Sequence, residues 1–319
     1  MENNKETAVK LAASITQSTD TVSREAEIFY NAILDTPTFD ERLGVQVIPS
    51  RDKFALVTGS TASLIQAYSS TPSVAGTITT TDDEFSIFKQ MIFTNFEYDA
   101  LANTKWKDAI ENMDDQGLPA DLQEWIIEFV GNKTKETLAN GLWNGNGGLA
   151  SDPTDFDGWG AVIQGLLQDA SLDSQIIALA SDPTVSSNIQ GLLDTMVAQA
   201  PRALVADKSN TRIMLGPVTF HALLRSYQEE ARTNAVQDDP SFFGGFQVEM
   251  IPNLSDDRII IGKPSNLGLG LGVGSDIVNI NIVDKYALGD GNFARIFANF
   301  GVGAGAATTD WVIGEFPNT

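Results

Sequence analysis

The sequence predicts an α+β chain of two lobes with extensions, and three observations point there. A helical stripe runs from Leu122 to Leu142. Strand-forming runs lie on both sides of it, at 45–57 and 85–88 before it and at intervals between 212 and 313 after it. The 319 residues exceed the size at which a single hydrophobic core usually divides.

The helix is the clearest element. Leu122, Trp125, Ile126, Phe129, Val130, Leu138 and Leu142 recur at the spacing of one helix face. Pro119 suits a first turn, where its missing N–H would be unpaired anyway. Asp121 and Glu124 lie near the positive end of the helix dipole and Lys133 and Lys135 lie further along, while Asn144-Gly145 tolerates the left-handed conformation that ends a helix. A glycine-rich turn and then Phe156-Asp157-Gly158-Trp159 follow.

Ahead of the helix, residues 1 to about 42 form an extension with helical spacing at Ala8, Leu11, Ala12 and Ile15 and again at Val22, Ala26, Phe29, Ile33 and Leu34. Thr36-Pro37 stops the second piece. Helices this short are marginal alone in water, so the arm is expected to order against something else. Val45–Val47, Phe54–Val57 and Phe85–Phe88 read as strands flanking a Ser-, Thr-, Gly- and Ala-rich stretch from Gly59 to Thr81, the composition of a protruding hairpin or loop. The segment 90–112 mixes Phe93, Phe96, Tyr98, Leu101 and Trp106 and leads into the helix.

Beyond the helix, 159–167 and 187–198 have helical periodicity with Asp182-Pro183 as a break between them. Arg212–Leu215, Gly-Pro and then 218–227 read as strand, turn and helix. Residues 246–251 and 258–261 are two short strands joined through Pro252-Asn253 as a hairpin or a crossover. Residues 277–283 and 293–302 read as strands, the second with period two, and 309–313 gives a last one.

Composition narrows the function. Forty-two Asp+Glu against 20 Lys+Arg leave a formal net charge of -22, a field that repels nucleic acid and anionic membranes and makes a dedicated DNA-binding module a poor fit. With no cysteine there are no disulfides, thiolate metal sites or cysteine nucleophiles, and the single His221 excludes the usual zinc sets. No run approaches the roughly 20 apolar residues of a membrane helix, and Met-Glu-Asn-Asn-Lys-Glu lacks the layout of a secretory signal, so a cytoplasmic setting is expected.

The order of elements resembles the major capsid proteins of tailed bacteriophages, the Hong Kong 97-type fold. The residues that carry the resemblance are the helix ending in Gly141-Leu142-Trp143-Asn144-Gly145-Asn146-Gly147, then Phe156-Asp157-Gly158-Trp159, then Ile213-Met214-Leu215-Gly216-Pro217 through Leu224, and the closing Phe293-Ala294-Arg295-Ile296-Phe297. It implies an N-terminal arm at 1–42, an extended loop with flanking strands at 43–95, a peripheral domain with a long spine helix at 96–155, an axial domain at 156–284 and return strands to the peripheral domain at 285–319. It also implies a non-enzymatic subunit that assembles with copies of itself into hexamers and pentamers of an icosahedral shell. That shell encloses double-stranded DNA without sequence-specific binding, and scaffold, portal and cementing proteins are possible partners. Virion capsid is the implied location, after assembly in the bacterial host's cytoplasm, and a chain that starts at Met1 without a scaffolding segment points to a separate scaffold.

Subunit-interface candidates are Leu64, Ile65, Tyr68 and Val74 in the loop and Phe242 and Phe243 in the axial segment. Some members of this lineage join neighbours through a loop lysine and an asparagine. Here no lysine occurs between Lys53 and Lys89, so cohesion is expected to be noncovalent. Arg24 and Arg202 are candidates to face a genome. A nanocompartment shell of the encapsulin kind shares the fold as an alternative, and a carbohydrate-active or carbohydrate-binding protein is a more distant one.

No catalytic, cofactor or metal site is assigned. Asp152, Asp155 and Asp157 before Gly158 lack calcium-loop spacing and read as a turn capping the next helix. The run 268–274 alternates glycine with aliphatic residues, lacks the order of a phosphate loop, and fits close backbone packing or a bending strand. The acid pairs at 114–115, 238–239 and 256–257 read as solvated turns rather than glycosidase carboxylates. His221 is read as a structural helix-end donor.

Overall fold

The computed structural model describes residues 43–61, 78–101, 120–147, 156–168, 172–234, 241–272, 279–284 and 293–317. Two sheets carry the architecture, and neither is built from one continuous stretch of chain.

The first sheet has the order β1-β10-β12-β11, from β1 (Gln46–Ser50), β10 (Leu267–Gly272), β12 (Phe293–Ala306) and β11 (Asn279–Asp284), with β4 (Phe88–Glu97) on the other side of β12. The 14-residue β12 is its axis. It pairs antiparallel with β10 and β11 along one edge and with all of β4 along the other. A separate antiparallel hairpin, β2 (Lys53–Thr61) and β3 (Ile78–Ser86), leaves this sheet at its root, in register from Lys53 opposite Ser86 to Thr61 opposite Ile78.

The second sheet has the order β5-β13-β9-β6-β8-β7, from β5 (Ile176–Ala178), β6 (Arg212–Leu215), β7 (Phe242–Phe243), β8 (Phe246–Met250), β9 (Arg258–Gly262) and β13 (Trp311–Glu315). The two strands joined through Pro252-Asn253 flank β6 on opposite sides, β8 parallel and β9 antiparallel, so the connection is a crossover rather than a hairpin. The sheets also interleave in sequence. β10 and β11, from the segment 156–284, pair in the first sheet, while β13, from 285–319, pairs with β5 and β9 in the second.

The long helix is α1 (Ala120–Asn144), and its stripe does what the spacing predicts. Leu122 and Ile126 pack with Tyr98, Ala294 and Ile296 against one face of β12, while Leu138, Leu142 and Trp143 enter the main core. Phe129 departs from the expectation: it is 42% exposed and stacks on Trp125 instead of burying. Helix α1 stops where glycine allows close approach. Gly145 N–H donates to Gly141 O and Gly158 N–H to Gly145 O, and a Cβ on Gly145 or Gly158 would collide with the Gly141 carbonyl.

The main core lies between the sheets. It is filled by α2 (Trp159–Leu167), the C-terminal half of α1, Leu267, Leu269 and Leu271 from the first sheet, and Met214, Ile260 and Ile313 from the second. On the far face of the second sheet, Ile213, Leu215, Ile259, Ile261 and Val312 pack on α3 (Ser186–Ala198), α4 (Arg202–Ala206) and α5 (Pro217–Asn234). Consecutive residues of β6 and β9 thus face two different cores, which is why both strands are apolar without alternation.

Candidate interaction surface

Four glycines set the geometry of the hairpin root. Gly268 and Gly270 on β10 and Gly303 and Gly305 on β12 all face the hairpin, and their apolar neighbours Leu269, Leu271, Val302 and Ala304 face the main core. Phe54 and Leu56 of β2 and Phe85 of β3 lie on this glycine floor. A β-carbon on Gly270 would collide with Phe54, one on Gly305 with Phe85, and one on Gly303 with the Ser86 carbonyl. Phe54 and Phe85 are themselves 5.5 Å apart. The alternating glycine run is therefore a seat for aromatic rings, the close packing its sequence predicts.

From Phe54 in that seat the strand carries the chain outward by about 23 Å to Thr61, at ~3.3 Å per strand residue. Its exposed side chains include Val57 at 67%. Lys53 and Glu84 form an exposed ion pair at 3.1 Å, which contributes little by itself. Leu64, Ile65, Tyr68 and Val74 lie outside the described residues, as does Arg24.

A second open surface lies on the side of β4 and β12 turned away from α1. Odd-numbered residues of both strands line it. Met91 is 64% exposed and Phe93 60%, beside half-buried Phe297, Arg295 and Phe293. The Arg295 guanidinium sits 5.3 Å from the Phe93 ring centroid and 5.5 Å from that of Phe293, and its Nε donates to Asn95 Oδ1 at 3.1 Å. Phe93 and Phe297 meet edge to face, with centroids 6.5 Å apart. Lys89 is exposed on the same face, and Glu97, opposite Phe293, closes its end. The sequence reading passes over this strand as a mixed segment. Its signal was the run Phe88 to Phe96, apolar on both parities, because Ile92 and Phe96 face inward while Met91 and Phe93 face solvent.

The two other interface candidates sit at the tip of the second sheet. Phe242 is 50% exposed, whereas Phe243 is half-buried on the core of that lobe. They occupy a hairpin whose turn, Gly244-Gly245, has φ of 59 and 84°, the left-handed pair of a two-residue turn that suits strand twist. Lys208 Nζ donates to Gly244 O at 2.7 Å and lies 4.9 Å above the Phe246 ring, and Tyr227 Oη donates to Phe242 O at 3.1 Å. The tip is thus held from two sides while Phe242 points outward.

Of the acids weighed for chemistry, Asp114, Asp115, Asp152, Asp155, Asp238 and Asp239 lie outside the described residues, and Asp256 and Asp157 have structural jobs. Asp256 Oδ1 accepts from Val218 N–H at 2.7 Å and Thr219 N–H at 3.3 Å, capping α5. That cap replaces the helix-end role read for His221, which is exposed beside Phe220. Asp157 Oδ1 accepts from Gly147 N–H at 2.8 Å and ties the turn after α1. Arg202 is exposed at the start of α4.

The lobes are joined by polar contacts as well as by the core. Asn144 Nδ2 donates to Asn253 O at 2.7 Å, and Ser255 N–H donates to Asn144 Oδ1 at 2.9 Å. Trp159 Nε1 donates to Gly268 O at 3.0 Å, and its ring meets Trp143 at 4.8 Å. The Arg258–Glu315 ion pair, 2.7 Å, closes over Gly160, and Gln164 Nε2 reaches Glu315 Oε2 at 3.3 Å.

No protein-family model and no curated protein matches the sequence. Solved structures do match in fold. A chain of the satellite phage P4 procapsid that includes the size determination (Sid) protein is similar at TM-score 0.59 and 11% identity, covering 90% of this chain and 97% of that one. A chain from the capsid of the native GTA particle is similar at TM-score 0.53 and 12% identity, covering 90% of each. At this identity the likeness speaks to the fold, and it places this chain in the Hong Kong 97-type capsid fold.

Proposed function

We propose that this chain is the major capsid protein of a tailed phage, assembling into hexamers and pentamers of an icosahedral shell around double-stranded DNA. One observation carries the reading: the fold is shared over nine-tenths of this chain and nearly all of the P4 procapsid chain. The open surfaces support it. A closed shell asks one chain to make similar contacts in slightly different surroundings, which suits rigid lobes with projecting segments.

In this reading the first sheet with α1 is the peripheral lobe and the second sheet with α3 and α5 is the axial lobe. The hairpin carries Leu64, Ile65, Tyr68 and Val74 onto a neighbour, and Phe242 meets its counterparts around a symmetry axis. Cohesion is noncovalent, the protein acts in the virion after assembly in the host cytoplasm, and it has no catalytic role. The net charge of -22 suits an inner wall that does not grip the genome.

Electron microscopy of the purified chain tests this. Capsomer rings or closed shells are expected, and monomers at every concentration overturn it. DNA in particles purified from the native source separates a virus head from an encapsulin-like compartment, which carries protein cargo.

A further inference from the structure

The chain holds three Asn-Gly pairs, all at the end of α1: Asn140-Gly141, Asn144-Gly145 and Asn146-Gly147. In such a pair the glycine nitrogen lies next to the asparagine side-chain carbonyl, and glycine has no side chain to hinder an attack on it. Attack needs room for the asparagine to turn onto that nitrogen and an acceptor for the amide proton. The fold treats the three pairs differently.

Asn140-Gly141 lies inside α1, where the Gly141 amide belongs to the helix ladder and Asn140 Oδ1 accepts from Asn144 Nδ2 at 2.7 Å. Asn144-Gly145 is held at both groups. Asn144 Nδ2 also donates to Asn253 O at 2.7 Å, Asn144 Oδ1 accepts from Ser255 N–H at 2.9 Å, and Gly145 N–H donates to Gly141 O at 2.8 Å. Asn146-Gly147 differs on each count. Asn146 is exposed beyond the last helical residue, and Gly147 N–H donates to a carboxylate, Asp157 Oδ1, at 2.8 Å. A β-carbon on Gly147 would lie 3.2 Å from the Asp157 nitrogen, so glycine is what lets this amide sit so near. Asp157 is itself exposed and exchanges protons with water.

We propose that Asn146-Gly147 is a site of self-modification, at which the chain converts Asn146 through a succinimide to an aspartyl or isoaspartyl residue with Asp157 as the base. Gly147 N attacks Asn146 Cγ, and its proton passes to the Asp157 carboxylate. The Cγ–Nδ2 bond then breaks, and the side-chain nitrogen leaves as ammonia with the proton that Asp157 returns. Water opens the ring at either carbonyl. No oxidant, reductant or bound group is needed.

The product carries one more negative charge near Asp157. Its isoaspartyl form also carries one more main-chain atom between Gly145, whose N–H and C=O are both bonded, and Gly147. The Gly147–Asp157 tie after α1 is the contact that such a change disturbs. Conversion is one-way, so its extent rises with the age of the chain. The inference does not depend on assembly.

Full-length chain is held in neutral buffer for increasing times and digested, and fragment-ion mass spectrometry places the mass gain of an amide-to-acid change at 140, 144 or 146. Conversion at 146 is expected to outrun that at the other two by about tenfold or more, and Asp157→Asn, which keeps an acceptor oxygen but loses the base, is expected to slow it by a similar factor. In guanidinium chloride the same chain should convert all three at similar rates. The comparison among the three pairs needs no variant, and folded chain that converts 146 no faster than 140 and 144 overturns the inference. So does a preference for 146 that persists in denaturant, since the fold would then have no part in it. A folded Asp157→Asn chain that converts at the parent's rate or faster overturns the role of the carboxylate, the faster case showing that the hydrogen bond protects the amide.

Discussion

The ring of Phe54 occupies the space that a β-carbon on Gly270 would need. Hairpin and sheet are therefore fitted to each other at a contact that tolerates no added atom. Gly270→Ala is expected to cost about 1–3 kcal/mol by overpacking, and Phe54→Ala about 3–5 kcal/mol through the lost ring. Because the smaller side chain makes room for the added methyl, the double variant should cost less than the sum, and denaturant unfolding of the unassembled chains measures the coupling. Additive costs would mean that the ring does not rest on this glycine.

Arg258 and Glu315 form an ion pair at 2.7 Å with side chains 19% and 32% exposed, at the junction of α1, α2 and the second sheet. Glu315→Gln strands a largely covered guanidinium, and a loss of about 1–3 kcal/mol is expected, below the range for fully buried pairs because of this exposure. Adding Arg258→Met should recover part of it. Thermal unfolding of the three variants reads the difference.

Asp256 is the cap of α5, reaching Val218 and Thr219 from the β8–β9 connection. Asp256→Ala is expected to cost about 1 kcal/mol. Amide exchange at 218–219 should quicken more than exchange at mid-helix residues such as Leu223, and uniform acceleration would argue against a local cap.

Asp207 accepts a hydrogen bond from Lys263 at 2.7 Å, which holds its carboxyl below the ordinary carboxylate range, with Ser209 and Asn210 adding to the effect. A carboxylate with a lowered folded-state pKa binds fewer protons folded than unfolded. Its contribution is present above the unfolded value of about 3.9 and is lost as pH falls through the lower folded value. Asp207→Asn should therefore lower Tm near neutrality and converge with the parent chain in acid. Parallel Tm profiles across the range would show that the pairing contributes no stability.

Legibility followed the local character of each signal. The long helix was readable because its stripe and its acidic start are local, and the strand-turn-helix from Arg212 was readable for the same reason. The end of the long helix differs from the expectation: Asn144 and Gly145 are not left-handed, and Gly145 is needed for close approach to the Gly141 carbonyl. β4 was missed because period two fails when both faces of a strand are apolar, and its second apolar face is the open surface itself. β12 runs four residues past its predicted end at Val302, through a Gly-Ala repeat that strand propensity disfavours. Its glycines are there for Phe85 and the Ser86 backbone, which arrive from far away in sequence.

By itself the sequence determined the long helix, the strand-turn-helix from Arg212 and most of the later strands, the lack of thiol and imidazole-pair chemistry, and the resemblance to a capsid subunit, since periodicity, caps and composition are properties of short windows. Only the tertiary structure decided that β8 and β9 flank β6, that β13 joins the second sheet, that glycines 268, 270, 303 and 305 form a floor for the hairpin's rings, and that Met91, Phe93 and Arg295 share one open face. Those facts depend on which distant strands pair and in which register, and pairing is settled by burial summed over the whole chain rather than by any one segment's preference.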